Sequence, residues 1–492
     1  MEDALNIVKK GAYIFFLGIF ISKLLNYGFR IIIARWLSPS EYGLFSLGLA
    51  VLSLAMVISS LGFPTGIERF VGISKENKEK VKAILKFSIY IGLFLSIISG
   101  ILTFVYADEI SSIFFKNPDL TLILQIFAFA IPLYVISELA SSLFIGLEDP
   151  KYRLITQDII GNVSKIVLAV ILLAAGLGLK GITIAYVLSI AISMFLMLFL
   201  LKGAGYLDSI KLRRHKELLK TYFSFSWPLL SASILFTLMT WTDSLMIGYY
   251  MAEDQVGIYN AAVPIASLLL IVLTGFKGLV LPPTSRLFSK GKLDKIKEVY
   301  IKTTDWITLF AVPLLLLILF YSNEILYTLF GPAYMGAKLS LQILSLGFFV
   351  AVITGPTAQA VSMTGKSKTI LIIRVISALT NIIANIILIP SYGIIGAAIA
   401  TSSAIIVYNL LTATFVIRKL HFTPVSKYLP YLTIIGLASF LLIELFPIPS
   451  QSALLYALIN GGVSIVIFFL LSFLLSKKIR EDIYELLRFK SG

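Results

Sequence analysis

Apolar residues along this chain neither alternate nor form one-sided stripes. They come in runs of about 20 residues separated by short polar loops. The first run, FFLGIFISKLLNYGFRIIIARW, covers residues 15–36, and similar runs recur to the C-terminal region, with late centres near Ile382, Ile405 and Ile465. Inside hydrocarbon no water satisfies the peptide groups, so each run must be a helix. The pattern predicts an all-α polytopic membrane protein with about 14 transmembrane helices. The first run is too long and too charged for a cleaved signal peptide.

The loops alternate in charge. Of 41 lysines and arginines, only Arg35, Lys116, Lys180 and Lys338 fall on one side of the predicted membrane. Lys23, Arg30, Lys165, Lys277 and Arg374 fall within spans, and all the others lie in loops and termini on the opposite side. Basic loops stay cytoplasmic. The expectation is therefore a multi-pass plasma-membrane protein with both termini cytoplasmic. The net charge of +15 then reflects topology and contact with anionic lipid rather than nucleic acid.

The chain also repeats itself. SPSEYGLFSLGLAV aligns with AEDQVGIYNAAVPI, pairing Gly43 with Gly257 and Phe45 with Tyr259; YADEISSIFF aligns with YSNEILYTLF, and GLKGITIAYVLS with GIIGAAIATSSA. Matches in one order at nearly one offset indicate duplication. Each repeat holds an even number of spans, so both insert the same way, as in transporters built from parallel repeats. The expected organisation is a six-helix lobe over 1–214, a second over 215–425, two additional helices over 426–476, and an amphipathic cytoplasmic tail over 477–492. A central cavity is expected between the lobes.

Composition narrows the chemistry. The chain is 58% hydrophobic and 14% charged, with no cysteine and two histidines, His215 and His421, both in basic loops. Thiolate and His-based metal sites have no ligands, and no resident cofactor is expected. There is no phosphate-binding Gly-rich loop of the nucleotide-hydrolase kind. The chain reads as a transporter rather than an enzyme.

Two stretches carry a family resemblance: KLLNYGFRIIIARWLSPSEYGLFSLGLAVLSL with GFPTGIERFV, and FSWPLLSASILFTLMTWTDSLMIGYYMAEDQVGIYNAA. They resemble the polysaccharide transporter (O-antigen/oligosaccharide flippase) family of the multidrug/oligosaccharidyl-lipid/polysaccharide superfamily. The resemblance implies a flippase for polyprenyl-diphosphate-linked oligosaccharide, moving it from the cytoplasmic to the outer leaflet by alternating access. Its partners would be the lipid-diphosphate-linked glycan and membrane lipids, and the working unit a monomer. It also implies that basic residues of the first span bind the diphosphate.

Lys23 and Arg30 fit that role on physical grounds. A basic residue at mid-span costs roughly 2.5–3.5 kcal/mol to insert, so it faces a partner or a watery cavity. Seven residues apart, the two share one helix face, separated by about 10 Å of rise. Lys165 and Arg374 are further candidates for a cationic cavity. The competing reading is ion pairing, and Asp243 is the candidate gate or ion-pair partner of Arg30. Glu138 and Asp158 are candidates for Na+ or H+ coupling, though the membrane potential alone could drive anion export, at about 2.3 kcal/mol per charge per 100 mV. Asn162, Gln359, Asn381 and Asn385 are candidates for sugar contacts or for helix–helix bonds. Lys277 is expected to snorkel, and Asp305 to be structural.

The rival functions are a cation-coupled multidrug exporter of the same superfamily, a peptidoglycan-precursor lipid flippase, and a membrane glycosyltransferase. The doubly basic first span speaks against the exporter. The short outer loops, which lack a D-x-D motif, speak against the transferase.

Overall fold

The computed structural model describes residues 18, 21–208, 211–276, 293–364, 366–450, 452–475 and 480. Among them every regular element is helical and no strand occurs. Eleven helices among the described residues are long and apolar enough to cross a membrane, and the chain is a multi-pass membrane protein. Lys277, Pro282, Pro283 and nearly all of the predicted tail lie outside the described residues.

Two long helices are compound. Ser367–Leu420 contains Gly393 at φ 59°, ψ −137°, where two helices meet end to end. The runs centred near Ile382 and Ile405 are its two arms. The apolar stretch Leu212–Tyr250 joins Lys216–Ser226 to Leu229–Tyr250 across Trp227 and Pro228.

Helix starts follow from local chemistry. Ser38 caps Pro39–Ser60: its hydroxyl accepts from the Glu41 backbone N–H at 3.2 Å, and the Glu41 carboxylate accepts from the Ser38 N–H at 3.0 Å. This reciprocal box, with Pro39 in the first turn, fixes where the helix begins. Asn77 caps Lys78–Val105 by accepting from Lys80 N–H at 3.1 Å. Leu61 and Gly62, both at positive φ, turn the chain into Phe63–Ser74.

The chain forms two compact units, Met1–Gly257 and Ile258–Gly492. The first contains Lys216–Ser226 and Leu229–Tyr250 in addition to the leading helices. Its core includes Phe63, Ile84, Leu139, Met197, Leu201 and Tyr222. The connector helix Lys216–Ser226 is bound into that core: the Ser88 and Tyr222 hydroxyls are hydrogen-bonded at 2.6 Å, and the Phe63 and Tyr222 rings stack at 5.4 Å. In the second unit, Leu429–Leu445 and Ala453–Leu475 pack against Leu293–Phe320 through Leu432, Phe440 and Phe468, which meet Val312, Leu316 and Tyr321.

Lipid supplies no hydrophobic drive between helices, so close packing has to do that work. Small residues let backbones approach. A methyl group on Gly100 would sit 3.0 Å from the Ala128 carbonyl oxygen, and one on Gly347 would sit 2.6 Å from the Ser402 hydroxyl. Large apolar residues cover the outside: Phe94 is 65% exposed although Phe127 is fully buried.

Candidate functional site: a cationic cluster in the first unit

The leading helix, residues 21–36, presents Ser22, Lys23, Phe29 and Arg30. Lys23 and Arg30 are half-buried. The Arg30 guanidinium donates a hydrogen bond to the Tyr42 hydroxyl and lies within electrostatic reach of Tyr186 and Lys165.

Lys165 is only 6% exposed. Its ammonium donates to Asn162 Oδ1 at 2.8 Å and faces the rings of Phe29 at 4.7 Å and Tyr186 at 5.6 Å. Those contacts are neutral: a carbonyl oxygen and two aromatic faces, which attract a cation through their quadrupoles. Phe29, Phe45, Phe127 and Tyr186 form a connected aromatic wall with ring separations of 5.6–6.1 Å. The wall ties the leading helix to Pro39–Ser60 and Gly178–Gly203.

On the N-terminal side of Lys165 the chain of contacts continues. Asn162 Nδ2 donates to the Asp158 carbonyl oxygen at 2.8 Å and to Ser22 Oγ at 3.2 Å, and Ser22 Oγ donates to Asp158 Oδ1 at 3.2 Å. Asp158 lies in a π-helical segment, Leu154–Gly161, between Lys151–Arg153 and Asn162–Ala174. The widened turn changes the angular offset of Asp158 from Asn162, and such segments often mark functional sites.

A second cluster centres on Arg153. Its Nη1 donates to Glu138 Oε1 at 3.3 Å, and Asp158 and Glu68 are within electrostatic reach. Three carboxylates thus surround one guanidinium. Glu68 is on Phe63–Ser74, outside the candidate spans. Burial pushes its carboxyl above the ordinary value; Arg153 opposes the shift and Glu138 adds to it.

Lys23, Arg30, Lys165, Glu138 and Asp158 all belong to the first unit. Asp243 is buried at 8% exposure on Leu229–Tyr250 in the same unit. Arg374 is exposed on Ser367–Leu420 of the second unit. Also in the second unit, Asn381 Nδ2 donates to Thr401 Oγ1 at 3.0 Å, a bond between two arms of one compound helix. Asp305 accepts from the Ser426 hydroxyl. Sequence reasoning missed Tyr42, Phe29 and Tyr186 as partners of the cations, and it read Arg153 as a loop charge. The position of Phe29 directly before Arg30 was the available signal.

The arrangement is suited to an anion. A permanently charged guanidinium lies within electrostatic reach of a buried ammonium whose hydrogen bond and ring contacts are all with neutral groups.

A family model described as polysaccharide biosynthesis protein matches residues 8–288, more than half of the chain, and the MatE model matches residues 228–387. A putative O-antigen transporter of Shigella flexneri is 24% identical over 392 residues, covering 77% of this chain and 90% of that one. A probable low-salt glycan biosynthesis flippase of Haloferax volcanii, Agl15, is 29% identical over 199 residues, covering 40% and 42%. The solved lipid II flippase MurJ, in an inward closed conformation, superposes with a TM-score of 0.74 at 18% identity, over 95% of this chain and 99% of that one. The chain has the MurJ-like fold and belongs to the polysaccharide biosynthesis protein family.

Proposed function

We propose that this chain is a flippase that carries a polyprenyl-diphosphate-linked oligosaccharide from the cytoplasmic to the outer leaflet of the plasma membrane by alternating access. The observation that carries this reading is the pair of cations Arg30 and Lys165, within electrostatic reach of each other, with the Lys165 ammonium held by a neutral carbonyl oxygen and two aromatic faces; Lys23 lies two turns earlier on the same helix as Arg30. A diphosphate needs dense positive charge in a medium of low dielectric constant. Arg30 supplies a bidentate fork and Lys23 a movable point charge. The names of the matched relatives, an O-antigen transporter and a glycan biosynthesis flippase, point to the same class of cargo.

No covalent bond changes in such a step. The polyprenyl tail stays in lipid while the headgroup crosses. With both termini cytoplasmic, outward movement of each negative charge gains about 2.3 kcal/mol per 100 mV of membrane potential. The potential alone then suffices as driving force, and a monomer suffices as the working unit.

The test is transport of a lipid-diphosphate oligosaccharide across reconstituted vesicles. Wild type moves the lipid; Lys23→Ala and Arg30→Ala slow it at least tenfold, and Arg30→Lys restores only part of the rate. Equal rates for all variants remove the cationic cluster from the mechanism. Since matched structures include multidrug transporters, the same vesicles should be offered a cationic dye. Dye export in place of glycan-lipid transfer overturns the proposal.

A further inference from the structure

Within the first unit, the start of Pro39–Ser60 meets the start of Glu253–Ser267, and it does so reciprocally. A methyl group added to Gly43 would overlap the Glu253 carbonyl oxygen and sit 3.1 Å from Gly257 N. One added to Gly257 would overlap the Pro39 carbonyl oxygen and sit 3.0 Å from Gly43 N. These are equivalent positions of the internal repeat: Pro39 and Gly43 of the first copy oppose Glu253 and Gly257 of the second. The contact is the meeting of one motif with its own duplicate, each glycine facing the other copy's helix start.

One directional bond spans it. Ser40 Oγ donates to Glu253 Oε1 at 2.7 Å, and the Asn117 side chain also donates to the Glu253 carboxylate. Deeper along the seam, a methyl group on Gly248 would lie 2.6 Å from Leu47 Cδ2. The electrostatics make the contact conditional. Two helix N-termini converge, and each carries about half a positive charge. Side by side they repel. Glu253, in the first turn of its helix, places a carboxylate where it offsets both ends.

We propose that Ser40, Gly43, Glu253 and Gly257 form a latch on the sparsely charged face of the membrane, closed in the structure described here and opened when cargo is released. This rests on the alternating-access reading and assigns it the residues that seal the outer end. Duplication gives the latch its matched halves, the glycines allow backbone contact without side-chain interlock, and one carboxylate holds the balance.

The absence of cysteine makes the test clean. Spin labels at Trp36→Cys and Ala252→Cys, both exposed positions, leave the latch intact. In lipid bilayers they should report a short and a long distance, and adding Glu253→Gln should raise the long-distance share roughly tenfold, the size expected for loss of one bond to a charged group. A single short distance in both backgrounds overturns the latch. Separately, the disulfide formed by Ser40→Cys with Glu253→Cys should stop glycan-lipid transport, and reduction should restore it; transport at the reduced rate while cross-linked also overturns the latch. Two distances with no transport even when reduced retire the glycan reading and leave the latch standing.

Discussion

Lys165 places its ammonium 2.8 Å from the Asn162 carbonyl oxygen, beneath the ring of Phe29. Asn162 in turn is held through its amide nitrogen by Ser22 and by the Asp158 backbone. The asparagine thus presents its oxygen to the cation because its nitrogen is occupied by oxygen acceptors. One amide orients a buried charge and fastens the leading helix to Lys151–Ala174 at the same time.

This relationship predicts opposite outcomes for the two partners. Lys165→Met removes a buried charge and keeps most of the volume, so unfolding stability should hold or rise. Asn162→Leu leaves the ammonium without its acceptor and should lower stability by about 1–3 kcal/mol. Thermal unfolding in lipid or detergent, followed by tryptophan fluorescence, reads both. Equal loss in the two variants would mean that the pair acts through packing and not through charge.

The Arg153 cluster predicts strong asymmetry. Glu138→Gln leaves the guanidinium two other carboxylates, Glu68 and Asp158, and should change stability by less than about 1 kcal/mol. Arg153→Met leaves three carboxylates without their cation and should cost about 3–5 kcal/mol. In the double variant part of that loss should return, as a coupling of about 1–3 kcal/mol. The sign for pH follows from Glu68. Its carboxyl is raised in the folded state, so the folded chain keeps this proton longer than the unfolded chain. The contribution is favourable at low pH and is lost as pH rises from the ordinary value of 4.5. Melting curves recorded across that range should flatten in Glu68→Gln.

Much of this was legible in the sequence, and the reason is the solvent. Lipid forces spans into helices of fixed length, so the apolar run lengths that become helices could be read directly. Lys23 and Arg30 share a face because seven residues make nearly two turns. What could not be read is which neighbour each face meets. A span apolar on every side carries no signal of its buried side: nothing in the local pattern separates Phe94 at the surface from Phe127 in the core. The π segment Leu154–Gly161 likewise has no sequence signal, since no residue type requires it. The seat of the connector was equally hidden: Gly62 and Gly66 let the Ser226 backbone and side chain approach closely, so Lys216–Ser226 packs on Phe63–Ser74.

That connector contact is itself testable. A methyl group on Gly66 would overlap the Ser226 hydroxyl and stand 3.0 Å from the Tyr222 ring. Gly66→Val should push Lys216–Ser226 off its seat and cost about 1–3 kcal/mol. Lys211, Arg213, Arg214 and Lys216 should then be cut faster by trypsin, and Ser226→Gly in the same chain should slow the cutting again. Unchanged cleavage would show that the helix tolerates the extra volume by another route.

Gly393 and His421 provide the last contrast, because both have positive φ and only one needs glycine. His421, at φ 57°, ψ 38°, ends Ser367–Leu420 in the left-handed helical region. Glycine removes the Cβ that opposes this region, and asparagine tolerates it through local hydrogen bonds of its short side chain, so stability should rise by up to about 0.5–1 kcal/mol. Gly393, at φ 59°, ψ −137°, lies where no L side chain sits comfortably, so Gly393→Ala and Gly393→Asn should both cost about 1–3 kcal/mol. Asparagine should not rescue it, since its tolerance is for the left-handed helical region alone. Differential scanning calorimetry of the four variants checks the pattern. A Gly393→Asn protein as stable as wild type would show that the junction between the two arms relaxes to ordinary helix, and the compound span would then be one continuous bent rod.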